Sequence, residues 1–141
     1  MKKMCFMFCL FFAITCNVMG QTTMADKLIG TYLTEGGKAK IAIAKSGNTY
    51  YGKLIWSITK NALDKNNPVK SERTKKLAGK IILTGFKYAN NDVWNNGKIY
   101  DPENGKTYSC KITRKSNGNL VVRGFIGFSL LGRNTTWTRL K

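Results

Sequence analysis

The turn Pro102-Glu103-Asn104-Gly105, set between two alternating runs of residues, constrains this chain more than any other stretch. From Gly97 to Ile112 the sequence reads GKIYDPENGKTYSCKI, which is a β-hairpin written locally. Pro102 presets φ for the first turn position, and Gly105 can adopt the left-handed conformation that closes the turn. With residues 102–105 as the loop, Asp101 stands opposite Lys106 and Ile99 opposite Tyr108. That register gives a dry face of Ile99, Tyr108, Cys110 and Ile112 and a wet face of Lys98, Thr107, Ser109, Lys111 and Thr113.

Similar alternation recurs along the chain. Strands are expected at Leu28–Leu33, Ala39–Lys45 and Thr49–Ser57, joined by Gly-rich turns as a meander. The third places Tyr50, Gly52, Leu54 and Trp56 on one face. A polar, basic stretch from Ile58 to Lys80 interrupts the pattern, with one helical turn within Ser71–Leu77, and connections of this length are often functional. Strands resume at Lys80–Tyr88, then an Asn-rich turn with Trp94 leads into the hairpin; Leu120–Ile126 and Arg133–Leu140 follow. About eight short strands and no amphipathic helix of useful length predict an all-β domain. A small antiparallel up-and-down β-barrel is the favoured form, because closure removes the exposed edges of a meander.

The first 20 residues read as a secretory signal peptide: Met1-Lys2-Lys3, an apolar run from Met4 to about Cys16, and cleavage between Gly20 and Gln21. Lipoprotein processing at Cys16 is the weaker alternative, because Thr15 is not small enough for the position before the cysteine. The run is too short to span a bilayer, which takes about 20 apolar residues. Residues 21–141 then form one domain, exported to the periplasm or beyond, with Cys110 as its single cysteine and so no internal disulfide. On the dry hairpin face, Cys110 reads as a small buried hydrophobe.

The chain has 24 Lys and Arg against 7 Asp and Glu, a formal net charge of +17. Export argues against nucleic acid as the partner and leaves anionic envelope surfaces such as lipid head groups and acidic glycans. The simplest reading is that lysines form the solvated face of the sheet. No histidine is present, which excludes Ser-His-Asp and Cys-His catalysis and His-ligated zinc. Asp64, Asp92, Asp101 and Glu103 are the carboxylates left for glycosidase-like chemistry, but turns and Asn-rich loops account for all four. Asp64-x-Asn66 lacks the glycine and distal glutamate of a calcium loop. No cofactor, metal or catalytic residue is expected, and the chain is not read as an enzyme.

The aromatics Tyr50, Trp56, Tyr108 and Trp137 are the candidate ligand-binding residues of a barrel interior. They could equally fill it, since eight strands permit either outcome. The apolar connection carrying Phe128, Leu130 and Leu131 reads as a portal rim, a membrane-touching tip or, most simply, a plug over one end.

Several motifs then fall into one order: Gly30-x-Tyr32, Tyr51-Gly52-Lys53-Leu54 with Trp56, Asp64-x-x-Asn67-Pro68 and Leu77-x-Gly79. The hairpin signature Tyr100-Asp101-Pro102-x-x-Gly105 follows, then Arg123-Gly124-Phe125-Ile126-Gly127 and Thr136-Trp137-Thr138-Arg139. Together they resemble the exported bacterial proteins of domain-of-unknown-function family 2147. The resemblance implies a signal peptide, a small lipocalin-like (calycin-like) barrel and no established activity. It also implies a barrel closure in which Tyr32, where tryptophan is usual, packs under Arg139 as a cation–π pair.

The expected function is binding of a small apolar or amphipathic, lipid-like ligand in the cell envelope. The alternative is a filled barrel that touches anionic envelope components through its basic Lys60–Lys80 loop, and a carboxylate-based enzyme stands third.

Overall fold

Eight antiparallel strands follow one another in chain order: β1 (Gly30–Leu33), β2 (Ala39–Ser46), β3 (Thr49–Ser57), β4 (Ile81–Asn90), β5 (Val93–Asp101), β6 (Lys106–Arg114), β7 (Leu120–Phe125) and β8 (Gly132–Arg139). Each pairs with the next, and β8 returns to β1 through Tyr32–Arg139 and Leu33–Thr138, closing the barrel. These strands come from a computed structural model that describes residues 22–128 and 130–141. The expected signal peptide, its cleavage site and Cys16 lie outside the described residues.

The opening hairpin has the expected register, with Asp101 opposite Lys106, Ile99 opposite Tyr108 and Gly97 opposite Cys110. Gly105 has φ +72, the left-handed value its turn requires. Cys110 is buried and free, and burial pushes its thiol up to about 12, so it packs as a hydrophobe.

The first strand is shorter than its sequence suggests. Ala25–Leu28 forms a 3-10 turn that seals one barrel end, with Leu28 fully buried beneath it. The second difference concerns two tryptophans. Lys40 pairs with Trp56 but Ile41 pairs with Leu54, so β3 carries one extra residue at Ile55. An extra residue inverts the alternation beyond it. Trp56, expected inside with Tyr50 and Leu54, is instead 41% exposed on the outer face, where the Lys40 ammonium sits 5.3 Å from its ring.

Trp94, expected in an Asn-rich turn, lies instead within β5 and is fully buried. Between the pairs Trp94–Ile112 and Gly97–Cys110, β5 holds one residue more than β6. Asn96 in that interval has φ +61, and the bulge turns both Trp94 and Gly97 inward. A Cβ at Gly97 would overlap the Phe86 ring, so only glycine leaves room for that ring here. Trp94, Phe86, Tyr50, Leu83 and Ile112 fill the barrel's closed half. A tilted contact between the Trp94 and Tyr88 rings, 5.2 Å between centroids and 53° between planes, extends that core.

Candidate functional site

The barrel ends differ because their connections differ. Tight turns 47–48, 91–92 and 115–119 lie at the end sealed by the 3-10 turn. The opposite end carries the connection 34–38, the longer connections 58–80 and 126–131, and the hairpin turn 102–105.

At the sealed end the 3-10 turn is tied to five strands. Trp94 Nε1 donates to the Ala25 carbonyl (3.2 Å), and the Tyr50 hydroxyl donates to Asp26 (2.6 Å). Lys45 also reaches Asp26, at 3.0 Å. The Tyr32 hydroxyl donates to the Leu28 carbonyl (2.9 Å) and accepts from Arg139 Nη1 (2.7 Å). Arg139 further donates to the carbonyls of Lys27 and Ile29, its guanidinium 5.5 Å from the Tyr32 ring centroid. Tyr50, a candidate ligand contact from sequence, thus belongs to the seal.

The other end opens into a cavity of about 690 Å³. Its wall is apolar, formed by Ile82, Ile99, Tyr108, Val122 and Trp137, with Thr135 as a small polar interruption. Of the four aromatics expected inside, the structure brings Tyr108 and Trp137 together here, and leaves Tyr50 in the seal and Trp56 outside. Ile99 lies on the dry hairpin face expected from sequence, whereas Ile82 and Val122 escaped sequence reasoning; β8 parity with Trp137 marks Thr135 as inward-facing. The rim is polar. Glu103 meets Lys38 at 3.3 Å, joining the 34–38 and 102–105 connections, which belong to non-adjacent hairpins. Arg133 stands on the rim, at an inward position of β8 shared with Thr135 and Trp137.

The 58–80 connection is not a free loop. Asp64 is fully buried. It accepts from the Tyr100 hydroxyl (2.5 Å) and from Asn67 Nδ2 (2.6 Å), and Lys80 Nζ lies 2.8 Å away. Burial alone would raise its pKa, but hydrogen bonds from Lys80, Tyr100 and Asn67 outweigh that and hold it below the ordinary carboxylate value. Asn67 in turn accepts from the Val69 amide, and Arg73 Nε donates to the Asn67 carbonyl (2.7 Å). Pro68 lies exposed between those anchors.

The hairpin completes the clasp. Asn66 Nδ2 donates to the carbonyls of Pro102 and Glu103. A Cβ at Gly105 would overlap the Asn66 carbonyl, so this glycine serves close approach as well as its φ. The Asp64-x-x-Asn67-Pro68 and Tyr100-Asp101-Pro102-x-x-Gly105 motifs, separate in sequence, are two halves of one contact. Leu77 and Tyr100 carry that contact to the cavity rim. Asp101 Oδ1 accepts the Glu103 amide within the turn, and Asp92 faces Arg114 at 3.5 Å.

The 126–131 connection is no plug. Phe128 is 79% and Leu130 88% exposed beside the mouth, and Ile126 and Leu131 edge the cavity. Among the described residues no group of three or more Cys, Asp or Glu could hold a metal ion, and no helix is long and apolar enough to cross a membrane.

Comparison with known proteins agrees with this architecture. The chain is similar to protein HP1028 from the human pathogen Helicobacter pylori, whose solved structure is described as belonging to the lipocalin family. The two share 26% identity with a TM-score of 0.76, over 81% of this chain and 83% of that one. No curated protein matches the chain. A family model described as an uncharacterized protein conserved in bacteria (DUF2147) matches residues 30–139. With its eight strands closed as a lipocalin-like barrel, the chain belongs to the DUF2147 family.

Proposed function

We propose that this protein is a carrier or sensor of the cell envelope. It holds a small apolar or amphipathic molecule in the open half of its barrel. The cavity carries the reading: about 690 Å³ lies within the range of small-molecule sites, and an apolar wall under a polar rim suits an apolar body with a polar head. Arg133 on the rim favours an anionic head over a neutral one. Binding rather than catalysis is supported by how the carboxylates are used. Asp64 is clasped, Asp92 faces Arg114, Asp101 caps its turn and Glu103 pairs with Lys38.

The test is titration with a fluorescent fatty acid, alongside native mass spectrometry of protein from its own cell envelope. Thr135→Phe places a ring in the cavity without disturbing the sealed half. We expect it to weaken binding at least about tenfold, roughly 1.4 kcal/mol, while leaving the melting temperature unchanged or higher. A ligand-free mass together with no probe binding would overturn the reading, as would unaltered affinity in Thr135→Phe.

A further inference from the structure

We infer that the mouth end of the barrel docks on an anionic lipid leaflet, with Phe128 and Leu130 entering the head-group region and the 58–80 connection lying against the phosphates. The first observation is where exposed apolar surface falls. Among the described residues the six most exposed large hydrophobic side chains are Leu130, Phe128, Leu131, Ile126, Ile58 and Val69, and all belong to the 58–80 and 126–131 connections at the mouth. The sealed end, among the described residues, shows only Met24 and Ile29, both less exposed than any of these six. An apolar concentration at one pole of a soluble barrel marks a surface meant to leave water.

The second observation is charge. Among the described residues of the 58–80 connection, the acids Asp64 and Glu72 are already held by Lys80 and Lys75. Lys60, Lys65, Lys70 and Lys76 remain exposed without an ion-pair partner. Apolar tip and free cations thus share one end, and together they select the occupant. A hydrated polyanion such as an acidic glycan would engage the lysines but give Phe128 and Leu130 nothing to bury against. A neutral bilayer would accept the tip but not the cations. An anionic leaflet satisfies both, since interfacial binding grows with apolar area buried and with attraction to charged lipid. If the proposed function holds, on which this last step rests, docking in this orientation turns the cavity toward the hydrocarbon from which an amphipathic ligand would come.

The test is flotation of the full protein with vesicles of phosphatidylcholine, or of equimolar phosphatidylcholine and phosphatidylglycerol. The wild type is compared with Phe128→Ser/Leu130→Ser and with Lys60→Glu/Lys65→Glu/Lys70→Glu. We expect binding to the phosphatidylglycerol vesicles alone, falling as salt rises above about 0.15 M, and at least about tenfold weaker in each variant. Equal binding to neutral vesicles, no binding to either, or an unaffected Phe128→Ser/Leu130→Ser variant would overturn the inference. So would capture by a soluble anionic polysaccharide that exceeds capture by anionic vesicles. All these substitutions are on the surface, and an unchanged melting temperature confirms the fold. Neither Phe128 nor Leu130 lines the cavity, so fatty-acid binding without vesicles reports on the carrier reading separately.

Discussion

The hydroxyl of Tyr32 does two jobs at once: it gives its proton to the Leu28 carbonyl and takes one from Arg139. An indole at this position could supply the aromatic face under the guanidinium, but its N–H only donates. The family resemblance therefore points to the right pair of residues and leaves out the hydrogen bond that makes tyrosine effective there. Tyr32→Phe keeps the ring and removes the bridge, so the Leu28 carbonyl loses its side-chain donor and one Arg139 N–H its acceptor. Arg139 still holds the Lys27 and Ile29 carbonyls. The expected cost is about 1–2 kcal/mol, read as a lower urea midpoint with an unchanged slope. A change in slope would mean instead that the seal had opened in the native state.

At the level of elements, the Asp64 clasp joins the longest connection to the signature hairpin, and its chemistry sets two pH limits. The folded carboxyl titrates below its ordinary 3.8, so its contribution is complete above that value and is lost as pH falls through the folded pKa. Lys80 is raised above 10.5, chiefly by its bond to Asp64, and burial with the Asp64 bond raises Tyr100 from 10.0 to about 12. Their contributions are complete below pH 10 and fade as pH rises toward 12. Asp64→Asn leaves Lys80 without its carboxylate. It should cost about 2 kcal/mol at neutral pH, flatten the acid limb of melting temperature against pH, and expose 58–80 to trypsin. Some acid limb should persist, because Tyr50 and Lys45 hold Asp26 low, and Lys75 holds Glu72 low. An unaltered acid limb and trypsin pattern in Asp64→Asn would show that the clasp does not secure the connection. Strand existence and the hairpin register were legible because period-two alternation and turn residues are local signals. The faces of Trp56 and Trp94 were not, because each lies beyond a bulge, and one extra residue reverses every later side chain until the register is restored. The clasp was hidden for another reason: Asp64 reads as turn material until Tyr100, 36 residues away, arrives beside it.

For the whole molecule, division of labour between the two ends follows from how the interior is filled. Trp94, Phe86 and Tyr50 occupy the sealed half, and the 3-10 turn is bonded to strands β1, β2, β3, β5 and β8. The open half encloses the cavity, and its connections are held by one buried clasp and one exposed ion pair. Sequence could suggest closure from the strand count, but not whether the interior was full. That depends on which aromatics the bulges admit and on where the long connections settle. An exposed pair such as Lys38–Glu103 contributes about 0–1 kcal/mol, so the mouth should open far more readily than the seal. Amide exchange should therefore be slow at Tyr50, Trp94 and Ile112 and fast across 58–80 and 126–131. A bound amphiphile should slow exchange at the mouth and leave the seal unaffected. At a ligand concentration about one hundred times Kd, binding to the folded state alone adds about 2.7 kcal/mol, a rise in melting temperature of about 10 °C for a domain this size. Thr135→Phe should lose both the rise and the slowing. If instead a ligand protects the sealed half and leaves the mouth unchanged, the binding site lies elsewhere than in this cavity.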